Sequence, residues 1–320
     1  LFEAAVLPAI LIGKKKSKTN GLHATHHQSS ARFSKIYEDL NGYKGPFTSA
    51  ISIYDILESG KQGYFKIGSR KYKKSSGVLR FSTLKGGLWC MLTKEEHEWV
   101  KEIERNSKTT VGDHFKVRVG IKTTADPVFI KSDWEALPSG IKPERELLKT
   151  LISQENIDKW KLNQTENLRV LYPYTSSNKK RTLVDIGEYP KAYAYLCSNE
   201  KRLKAREYVA RSGRQWFEIW VPQNPYLWPF PKLVFPDISS SPRFYYDEEG
   251  KIVNGNCYWI SATKERERDI LFLIQGVSNS LFMTKYHDLV FNNKLYSGKR
   301  RYFSQYVENY PLPDINSTGS

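Results

Sequence analysis

The sequence has few of the residues that hold small secreted domains together or bind structural metals. An odd number of isolated cysteines excludes a disulfide framework, and it favours a reducing, cytoplasmic location without a structural metal. His23, His26 and His27 lie in a polar stretch without a cysteine or acid at zinc-site spacing, so we expect an ordinary surface segment there. The cysteines are widely spaced and include no Cys-X-X-Cys pair: Cys90, Cys197 and Cys257.

A long apolar run is also missing. The longest candidate, residues 4–13, has about half of the ~20 residues that a membrane-spanning helix requires, so we expect no membrane partner. This run ends in a lysine-rich polar stretch at 14–21, a pattern typical of a final strand followed by a linker. Because the chain begins at Leu1 rather than at a methionine, we expect it to be part of a longer protein.

Acidic residues are too few to balance the basic ones. The chain has 34 Asp and Glu against 50 Lys and Arg, which gives a formal charge of +16 and a pI near 9.5. Such a surplus is typical of proteins that bind nucleic acids. Twenty Tyr, fifteen Phe and eight Trp supply the material for a large core, which excludes a disordered basic tail.

Residues 115–130 carry the strongest local pattern. Apolar and basic side chains alternate over 115–122, which predicts a strand with one buried face and one basic face. A turn at 123–126 and an apolar run at 128–130 follow, so we expect a hairpin-like unit suited to a polyanion. A merely solvated strand would show the same pattern. The alternating residues are Phe115, Val117, Val119 and Ile121 on one side and Lys116, Arg118 and Lys122 on the other.

Elsewhere the hydrophobic period switches between values typical of strands and of helices. Thr93 and Glu96 form a capping-box pattern that predicts a helix over 94–106. Lys71, Lys73 and Lys74 are expected in an exposed loop. Further helices are expected at 144–153, from Pro190 and over 265–288, and strands at 49–57, 63–67, 77–82, 87–92, 168–174, 232–238 and 257–262, with a basic loop at 176–182.

One group of residues suggests a catalytic alternative. Asp237, Glu249 and Lys251 resemble the two acids and lysine of a magnesium-dependent nuclease. Glu249 and Lys251 flank a glycine in an expected tight turn, whereas that chemistry favours a rigid strand. A basic protein-interaction module is a further alternative, and it would bind its partner regardless of added DNA.

Residues 119–130 also resemble a family signature. Val-Gly-Ile-Lys-Thr-Thr-Ala-Asp followed by Val-Phe-Ile is similar to a block of the TaqI-like specificity domain. That domain is the target-recognition part of adenine-N6 DNA methyltransferases and of fused restriction-modification enzymes of the Eco57I type. Thr124 departs from the block, because the family usually has glycine there. Further matches follow in the family's order at Tyr195 and Leu196 with Leu203 and Arg206, at Trp216 with Glu218, at 232–236, at 278–281 and at 301–313.

The resemblance covers about 115–313 and implies an α+β (mixed α/β), strand-rich target-recognition domain over 35–320. We expect this domain to comprise two subdomains, 35–110 and 111–320, and the resemblance implies the last strand and linker of a methyltransferase domain at 1–34. The parent protein would be a bacterial adenine-N6 DNA methyltransferase of a restriction-modification system, which uses S-adenosylmethionine and either methylates only or also cleaves DNA. Because this chain lacks the cofactor and Asn-Pro-Pro-aromatic motifs, we expect it to have no cofactor, metal or catalytic residue of its own.

The expected partners are double-stranded DNA and the methyltransferase domain of the same parent. Basic side chains would grip phosphates, and a few others would reach base edges in the major groove. The expected phosphate contacts are Lys122, Lys179, Lys180, Arg181, Lys299 and Arg300. The expected base-reading residues are Thr123, Thr124, Arg301, Ser304 and Gln305.

Overall fold

The chain divides into two compact units, and each mixes helices with strands, which confirms the α+β fold class. The first unit is Leu1–Asn106 with Tyr286–Asn292, and the second is Ser107–Lys285 with Asn293–Ser320. The computed structural model describes residues 31–39, 42–79, 91–163, 167–291, 295 and 298–314.

Several sequence predictions concern residues outside this description. The domain boundaries expected after 34 and after 110 stay predictions. The strand expected at 4–13, the three histidines, Cys90 and most of the strands expected at 77–82 and 87–92 lie outside the described residues.

The first unit is built around one sheet, with strand order β1-β4-β3-β2. β2 runs parallel to β3, and the other neighbours are antiparallel. Its elements are β1 (Ala31–Glu38), β2 (Thr48–Ser49), α1 (Ile53–Glu58), β3 (Gly63–Ile67), β4 (Arg70–Leu79) and α2 (Lys94–Asn106).

The helix predicted over 94–106 is confirmed as α2, and its cap is the expected one. The Thr93 amide donates to the Glu96 carboxylate at 2.8 Å, and the Glu96 amide donates to the Thr93 hydroxyl at 3.2 Å. Each bond satisfies an amide that has no partner within the helix, so the local sequence suffices to start α2 there.

A helix also replaces most of the strand expected at 49–57. Ser52 and Asp55 form a second capping box, which begins α1. Ile56 of this helix is fully buried. The β-branched residues of the segment favoured a strand, but the capping box and the burial of Ile56 stabilise a helix instead.

Lys74 joins the sheet to α1, so the expected exposed loop is wrong. Lys74 lies in β4 with Lys71 and Lys73, and its side chain is buried. Its ammonium donates to the carbonyl of Ile56 at 2.7 Å and to that of Ser59 at the end of α1. A cation placed there satisfies carbonyls that lack helical partners.

The second unit begins after residue 106 and contains most of the strands. They are β5 (Thr109–Thr110), β6 (Arg118–Val119), β7 (Ile130–Lys131), β8 (Leu148–Ile152), β9 (Arg169–Leu171), β10 (Tyr174–Ser177), β11 (Lys180–Leu183), β12 (Lys232–Pro236), β13 (Ile238–Ser239), β14 (Tyr245–Asp247), β15 (Ile252–Val253), β16 (Cys257–Ser261), β17 (Arg300–Arg301) and β18 (Pro311–Leu312).

Short helices connect these strands. They are α3 (Val111–His114), α4 (Asp126–Phe129), α5 (Pro190–Ser198), α6 (Glu200–Lys204), α7 (Glu207–Arg211), α8 (Glu267–Ser278) and α10 (Ser304–Val307). α9 (Leu281–Val290) begins in this unit, and its residues from Tyr286 onward belong to the first unit. Single 3-10 turns occur at Trp134–Ala136, Arg145–Leu147, Ile186–Glu188 and Pro225–Leu227. The helix predicted from Pro190 is confirmed as α5.

Two four-stranded sheets organise the core of this unit, in the orders β14-β12-β16-β6 and β15-β8-β9-β7. β12 is buried along its whole length and pairs antiparallel with β16. The strands predicted at 232–238 and 257–262 are therefore confirmed in their main parts. Phe129, Trp134 and Trp259 are fully buried in the core.

The helix expected over 144–153 is wrong. A single 3-10 turn leads into β8, which lies between β15 and β9. Leu147, Leu148 and Leu151 are buried as expected, and their spacing fits one face of a helix. Main-chain pairing with two neighbours from distant parts of the sequence overrides that local pattern, as expected for a strand inside a sheet.

The hairpin expected at 115–130 does not form. β6 pairs with β16, whereas β7 pairs with β9 in the other sheet. Between them lies α4, with Pro127 in its first turn, instead of an extended run. Phe115, Val117 and Ile121 are buried and Lys116 and Lys122 are exposed, as expected. Val119 and Arg118 depart from the alternation, because both are half-buried and the Arg118 guanidinium lies 5.6 Å from the centre of the Trp259 ring.

The helical region expected over 265–288 is interrupted at Asn279 and Ser280, between α8 and α9. The buried amide of Asn279 accepts from the Phe244 amide and donates to the Phe244 carbonyl, each at 2.9 Å. This exchange ties the end of α8 to the segment before β14. Within the described part of the chain, no helix combines the length and hydropathy needed to cross a membrane.

Candidate nucleic-acid interface

The turn after β6 presents Lys122 and Thr124 on the surface of the second unit. Lys122 pairs through its main chain with Val221, with both N–H···O distances at 2.9 Å. Thr123 is fully buried, and its hydroxyl donates to Asp126 and accepts from the Ala125 amide. Of the two threonines expected to read bases, Thr124 is therefore exposed, whereas the Thr123 hydroxyl is bonded inside the turn.

Thr124 adopts a left-handed backbone conformation, with φ of 58°. This conformation favours glycine, and it is strained for a β-branched residue. The glycine usual in the family block thus has a physical reason at this position. Here the Thr124 hydroxyl donates to its neighbour's carbonyl at 2.5 Å, which fixes the side chain beside the turn.

The buried side chain of Arg206 binds the main chain of this turn. Its guanidinium is buried, and it donates to the Thr123 carbonyl at 2.9 Å. It also donates to the carbonyls of Glu218 (3.0 Å), Trp216 (2.7 Å) and Leu203 (3.2 Å). Burial lowers the pKa of Arg206 from its usual value. The side chain thus cross-links three segments of the chain under the Lys122 turn.

The basic loop expected at 176–182 is the tip of the β10–β11 hairpin. Asn178 and Lys179 both have positive φ, at 50° and 62°, which is the two-residue turn that matches the twist of paired strands. Lys179, Lys180 and Arg181 are all exposed. The tip thus presents three adjacent cations to solvent.

Residues 221–224 connect this hairpin to the Lys122 turn. The Asn224 amide donates to the Lys179 carbonyl at 2.9 Å, and Arg181 donates to the Gln223 carbonyl at 3.3 Å. On the other side, the Gln223 amide donates to the Val119 carbonyl at 2.8 Å. The hairpin tip and the turn after β6, far apart in sequence, therefore belong to one continuous surface segment.

A second loop, at 254–256, packs directly on the strand that leads to Lys122. A side chain on Gly120 would lie 2.1 Å from the Asn254 carbonyl oxygen, so only glycine permits this approach. A cleft of about 420 Å³ lies between the turn and this loop, and it is lined by Lys122, Thr124, Asn254 and Asn256 among others.

Arg300 and Arg301 adjoin the same loop through Asp237. The Asp237 amide donates to the Asn256 carbonyl at 2.9 Å, and the Asp237 carboxylate accepts from Arg301 at 3.1 Å. Arg300 donates to the Ser240 carbonyl at 2.6 Å. Main-chain pairing of β17 with β13 fixes both arginines at this place.

The remaining predicted residues follow β17 or precede it. Lys299 and Gln305 are exposed, and Ser304 is half-buried at the start of α10. The residues described above form a path of direct contacts, which we call the basic recognition surface. It runs through Lys179–Arg181, 221–224, Lys122–Thr124, Asn254–Asn256, Asp237 and Arg300–Arg301.

The sequence predictions missed the amide side chains of this surface. Gln223, Asn224, Asn254 and Asn256 all lie on it and are only half-buried. Amides can both donate to and accept from base edges, so they suit direct readout. The Asn-Gly pair at 254–255 was a visible signal for a turn, but nothing local indicated which loop it would meet.

The three residues of the nuclease alternative, Asp237, Glu249 and Lys251, do not form one site. Lys251 lies 2.5 Å from Glu249 and 3.6 Å from Asp247, whereas Asp237 pairs with Arg301. Among the described residues there is no group of three or more His, Cys, Asp or Glu that could hold a metal ion. Nothing in the arrangement of these residues supports metal-dependent cleavage.

Lys232 and Asn279, which belong to the family resemblance, have structural roles. Lys232 and Asp247 form a fully buried ion pair at 2.8 Å, and Lys232 also donates to the Trp228 carbonyl at 2.7 Å. Burial lowers the pKa of Lys232, and the Asp247 charge opposes that effect. Asn279, which also belongs to the resemblance, binds the main chain of Phe244 as described above.

Comparison with known proteins decides the family. A family model described as the TaqI-like C-terminal specificity domain matches residues 149–312, just over half of the chain. The chain belongs to this family. The resemblance found in the sequence is thereby confirmed, although the matched range of the specificity domain begins after the 119–130 block.

Curated relatives of the specificity domain are Type II methyltransferases. Over 316 residues it is 45% identical to M.BanIII of Aneurinibacillus aneurinilyticus, with coverage of 98% of this chain and 54% of that protein. It is 26% identical over 256 residues to M.XhoI of Xanthomonas vasicola, with coverage of 76% and 42%. The chain thus spans about half the length of the curated relatives it matches.

One solved structure has a limited likeness to the specificity domain. It is the Type IIL restriction-modification enzyme MmeI in complex with DNA, with a TM-score of 0.44 and 13% identity over 78% of this chain and 34% of that one. This score is too low to establish a shared fold. The family assignment rests on the sequence comparisons.

Proposed function

We propose that this specificity domain recognises one sequence in double-stranded DNA for a site-specific adenine-N6 DNA methyltransferase. The observation that carries the proposal is the basic recognition surface. It joins cations from three distant parts of the sequence within one unit, and it intersperses them with amide and hydroxyl side chains.

The two kinds of side chain suit two tasks. Lysine and arginine side chains neutralise phosphates and set the register of the protein on the duplex, whereas hydroxyl, amide and guanidinium groups can bind base edges. We assign phosphate contacts to Lys122, Lys179, Lys180, Arg181, Lys299 and Arg300. We assign base reading to Thr124, Arg301, Ser304 and Gln305, with the buried Thr123 shaping the turn that presents Thr124.

The side chain of Arg301 is partly exposed, and its neighbours already hold it in one orientation. Its guanidinium is 38% exposed as a side chain, is paired with Asp237 and lies 4.2 Å from the centre of the Phe303 ring. An arginine that is already oriented loses less side-chain entropy when it forms two parallel bonds to guanine. The Asp237 carboxylate would fix the plane in which the guanidinium is presented.

Methyl transfer itself belongs to the remainder of the parent protein. S-adenosylmethionine would bind there and supply the methyl group, because this chain has neither a glycine-rich strand-to-helix turn to hold that cofactor nor an Asn-Pro-Pro-aromatic motif. The role of this chain is to grip the duplex beside the target, so that the adenine can be extruded into the other domain. The methyltransferase domain is therefore the expected protein partner.

Selection of duplexes from a randomised pool tests the proposal directly. The full chain should enrich one sequence, and its affinity for that sequence should fall steeply with salt, because each phosphate contact releases counterions. Enrichment of no sequence, or binding that is indifferent to salt, would contradict it.

A matched pair of variants locates the contact. Lys180→Gln with Arg181→Gln removes two cations from the basic recognition surface and should weaken binding to all duplexes and reduce its salt dependence. Lys201→Gln with Arg202→Gln removes two exposed cations from α6, elsewhere in the same unit. If both double variants bind equally well, the hairpin tip is not in contact with DNA.

A further inference from the structure

A second basic surface lies in the first unit, before the residues that match the family. Residues 61–79 contain six Lys and Arg and no Asp or Glu. Most of this segment is β3 and β4. Lys74 is buried and binds α1, so its charge is used internally. Of the other five cations, four are exposed, and Lys71 is half-buried and donates to the Tyr43 carbonyl at 3.3 Å.

The strand register places the central members of this group on one face. Tyr37, Lys73 and Tyr64 are direct neighbours across β1, β4 and β3. Two residues further along, Lys71 is paired with Lys66. Paired residues share a face and alternate residues along a strand return to it, so these five side chains form one surface. We call it the basic sheet face.

The opposite face of the same sheet holds the core of the unit. Phe65 and Lys74 point that way and are buried, and Ile56 of α1 is fully buried with them. The interior therefore accounts for one side of the sheet only. On the basic sheet face, Lys66 and Lys73 are exposed.

Aromatic rings fix the position of the ammonium groups on this face. Tyr43 stacks on Tyr64 with ring centres 3.6 Å apart and planes within 7°. The Lys73 ammonium lies 5.6 Å from the centre of the Tyr64 ring, and the Lys71 ammonium lies 4.9 Å from the centre of the Phe47 ring. Such contacts orient a cation without neutralising its charge, so it stays available to an anion.

The pairing of Lys66 with Lys71 costs the fold stability. Like charges placed directly opposite each other on a sheet are destabilising, and Lys73 adds a third positive charge on the same face. The two lysines of β4 are separated by two residues, about 6.6 Å along a strand, so each can meet a separate anionic group. An extended polyanion relieves this repulsion, whereas folding alone does not.

We propose that the basic sheet face binds the phosphate backbone of duplex DNA outside the bases that the second unit reads. The inference rests on the function proposed above and adds a contact that carries no sequence information. Lysines suit this role because they bind phosphate as compact point charges, without the two-bond geometry of arginine. The site comprises Lys66, Lys71 and Lys73, with Tyr37 and Tyr64 on either side of Lys73.

Three variants of the full chain test it. Lys66→Gln/Lys71→Gln/Lys73→Gln removes the charges of the face, and the corresponding triple arginine variant keeps them. Lys94→Gln/Lys101→Gln/Arg105→Gln removes three charges from α2 of the same unit, where Lys94 and Arg105 are paired with glutamates. The dissociation constant is measured against salt concentration, for the selected duplex and for a scrambled one, each extending well beyond the site.

For the glutamine variant of the sheet, the slope of log K against log salt should become shallower by about 2 to 3, since each lost phosphate contact contributes ~0.9. The change should be the same for both duplexes, and the preference for the selected one should remain. The arginine variant and the α2 variant should keep the slope of the wild type. If the glutamine variant fails to fold, Lys73→Gln alone should make the slope shallower by about 1.

The two proposals fail in different ways. A wild-type slope in the glutamine variant, with the sequence preference intact, overturns the basic sheet face alone. A wild type without any sequence preference overturns the function proposed for the second unit. Binding of the wild type to vesicles of anionic lipid, together with an unchanged duplex slope in the variant, would assign the face to a membrane surface and overturn this inference.

Discussion

The guanidinium of Arg206 donates a hydrogen bond of 2.9 Å to the carbonyl of Thr123, a residue 83 positions earlier in the chain. The same side chain binds the carbonyls of Glu218 and Trp216. The exposed turn that presents Lys122 and Thr124 is therefore built on a buried cation. Its shape depends on a residue that cannot itself touch DNA, because Arg206 is only 6% exposed.

Removing the Arg206 guanidinium should destabilise the second unit strongly. Arg206→Met removes the donor from the buried Thr123 carbonyl and from the part-buried carbonyls of Trp216 and Glu218. A buried carbonyl without a donor costs ~1–3 kcal/mol, so we expect the free energy of unfolding to fall by about 3 kcal/mol. Denaturation by urea measures the change. Arg211→Met is the control, because that side chain is 80% exposed and its pairing with Glu207 is worth only about 0.5 kcal/mol. Equal midpoints for the two variants would contradict the role of Arg206.

Glycine at position 124 should stabilise the fold. Thr124→Gly relieves a positive φ in a β-branched residue, and we expect the free energy of unfolding to rise by about 1 kcal/mol. Thr175→Gly, at an exposed position in β10, should lower it by ~0.5–1 kcal/mol, because glycine weakens a regular strand. Thermal unfolding compares the two, and a loss of stability in both would show that the left-handed turn carries no strain.

The buried pair of Lys232 and Asp247 should respond unequally to the loss of either partner. Asp247→Asn leaves the Lys232 charge buried without a counter-ion and should cost ~3–5 kcal/mol. Lys232→Met should cost less, because Lys251 remains 3.6 Å from the carboxylate and can compensate it. The double variant Lys232→Met/Asp247→Asn should lose less stability than the sum of the single losses, because neither charge is left unpaired. Unfolding free energies of all three variants check this, and strict additivity would contradict it.

Gly120 should tolerate no side chain. Gly120→Ala places a methyl group 2.1 Å from the Asn254 carbonyl oxygen, which forces the loop at 254–256 away from the strand. We expect a loss of about 1–3 kcal/mol, together with faster exchange of the hydrogen-bonded amides of Asn254 and Cys257. Gly140→Ala is the matched control, since nothing lies within 4 Å of a methyl group there. Unchanged amide exchange in Gly120→Ala would show that the loop at 254–256 can accommodate a side chain at position 120.

Alkaline pH should weaken one link between α5 and α4. Burial raises the pKa of Tyr195 to about 12, and its hydroxyl donates to the Val128 carbonyl at 2.8 Å. A folded pKa above the unfolded value of about 10 means that the stabilisation is complete below pH ~10 and is lost as pH rises through about 12. The stability difference between wild type and Tyr195→Phe should therefore shrink over that window. A constant difference at every pH would contradict this link.

The sequence by itself determined those features that local chemistry specifies. The capping box at Thr93 and Glu96 started α2, and Pro190 started α5. Alternation over 115–121 identified three of the four buried side chains, with Val119 only half-buried. The charge surplus and the ordered motif matches were enough to identify the family. The cap, the proline and the alternation each lie within a few residues, and neither the charge surplus nor the order of the motifs depends on which distant segments meet.

Only the tertiary structure decided which segments meet. β8 is a strand because β15 and β9 supply its main-chain partners, although its leucines fit a helix. Lys74 is buried because the end of α1 offers carbonyls to it, and the hairpin tip adjoins Lys122 because residues 221–224 bind both. Main-chain pairing and the burial of a charge depend on residues far away in sequence. A local pattern can therefore show which face of a segment is buried, but not which segment covers it.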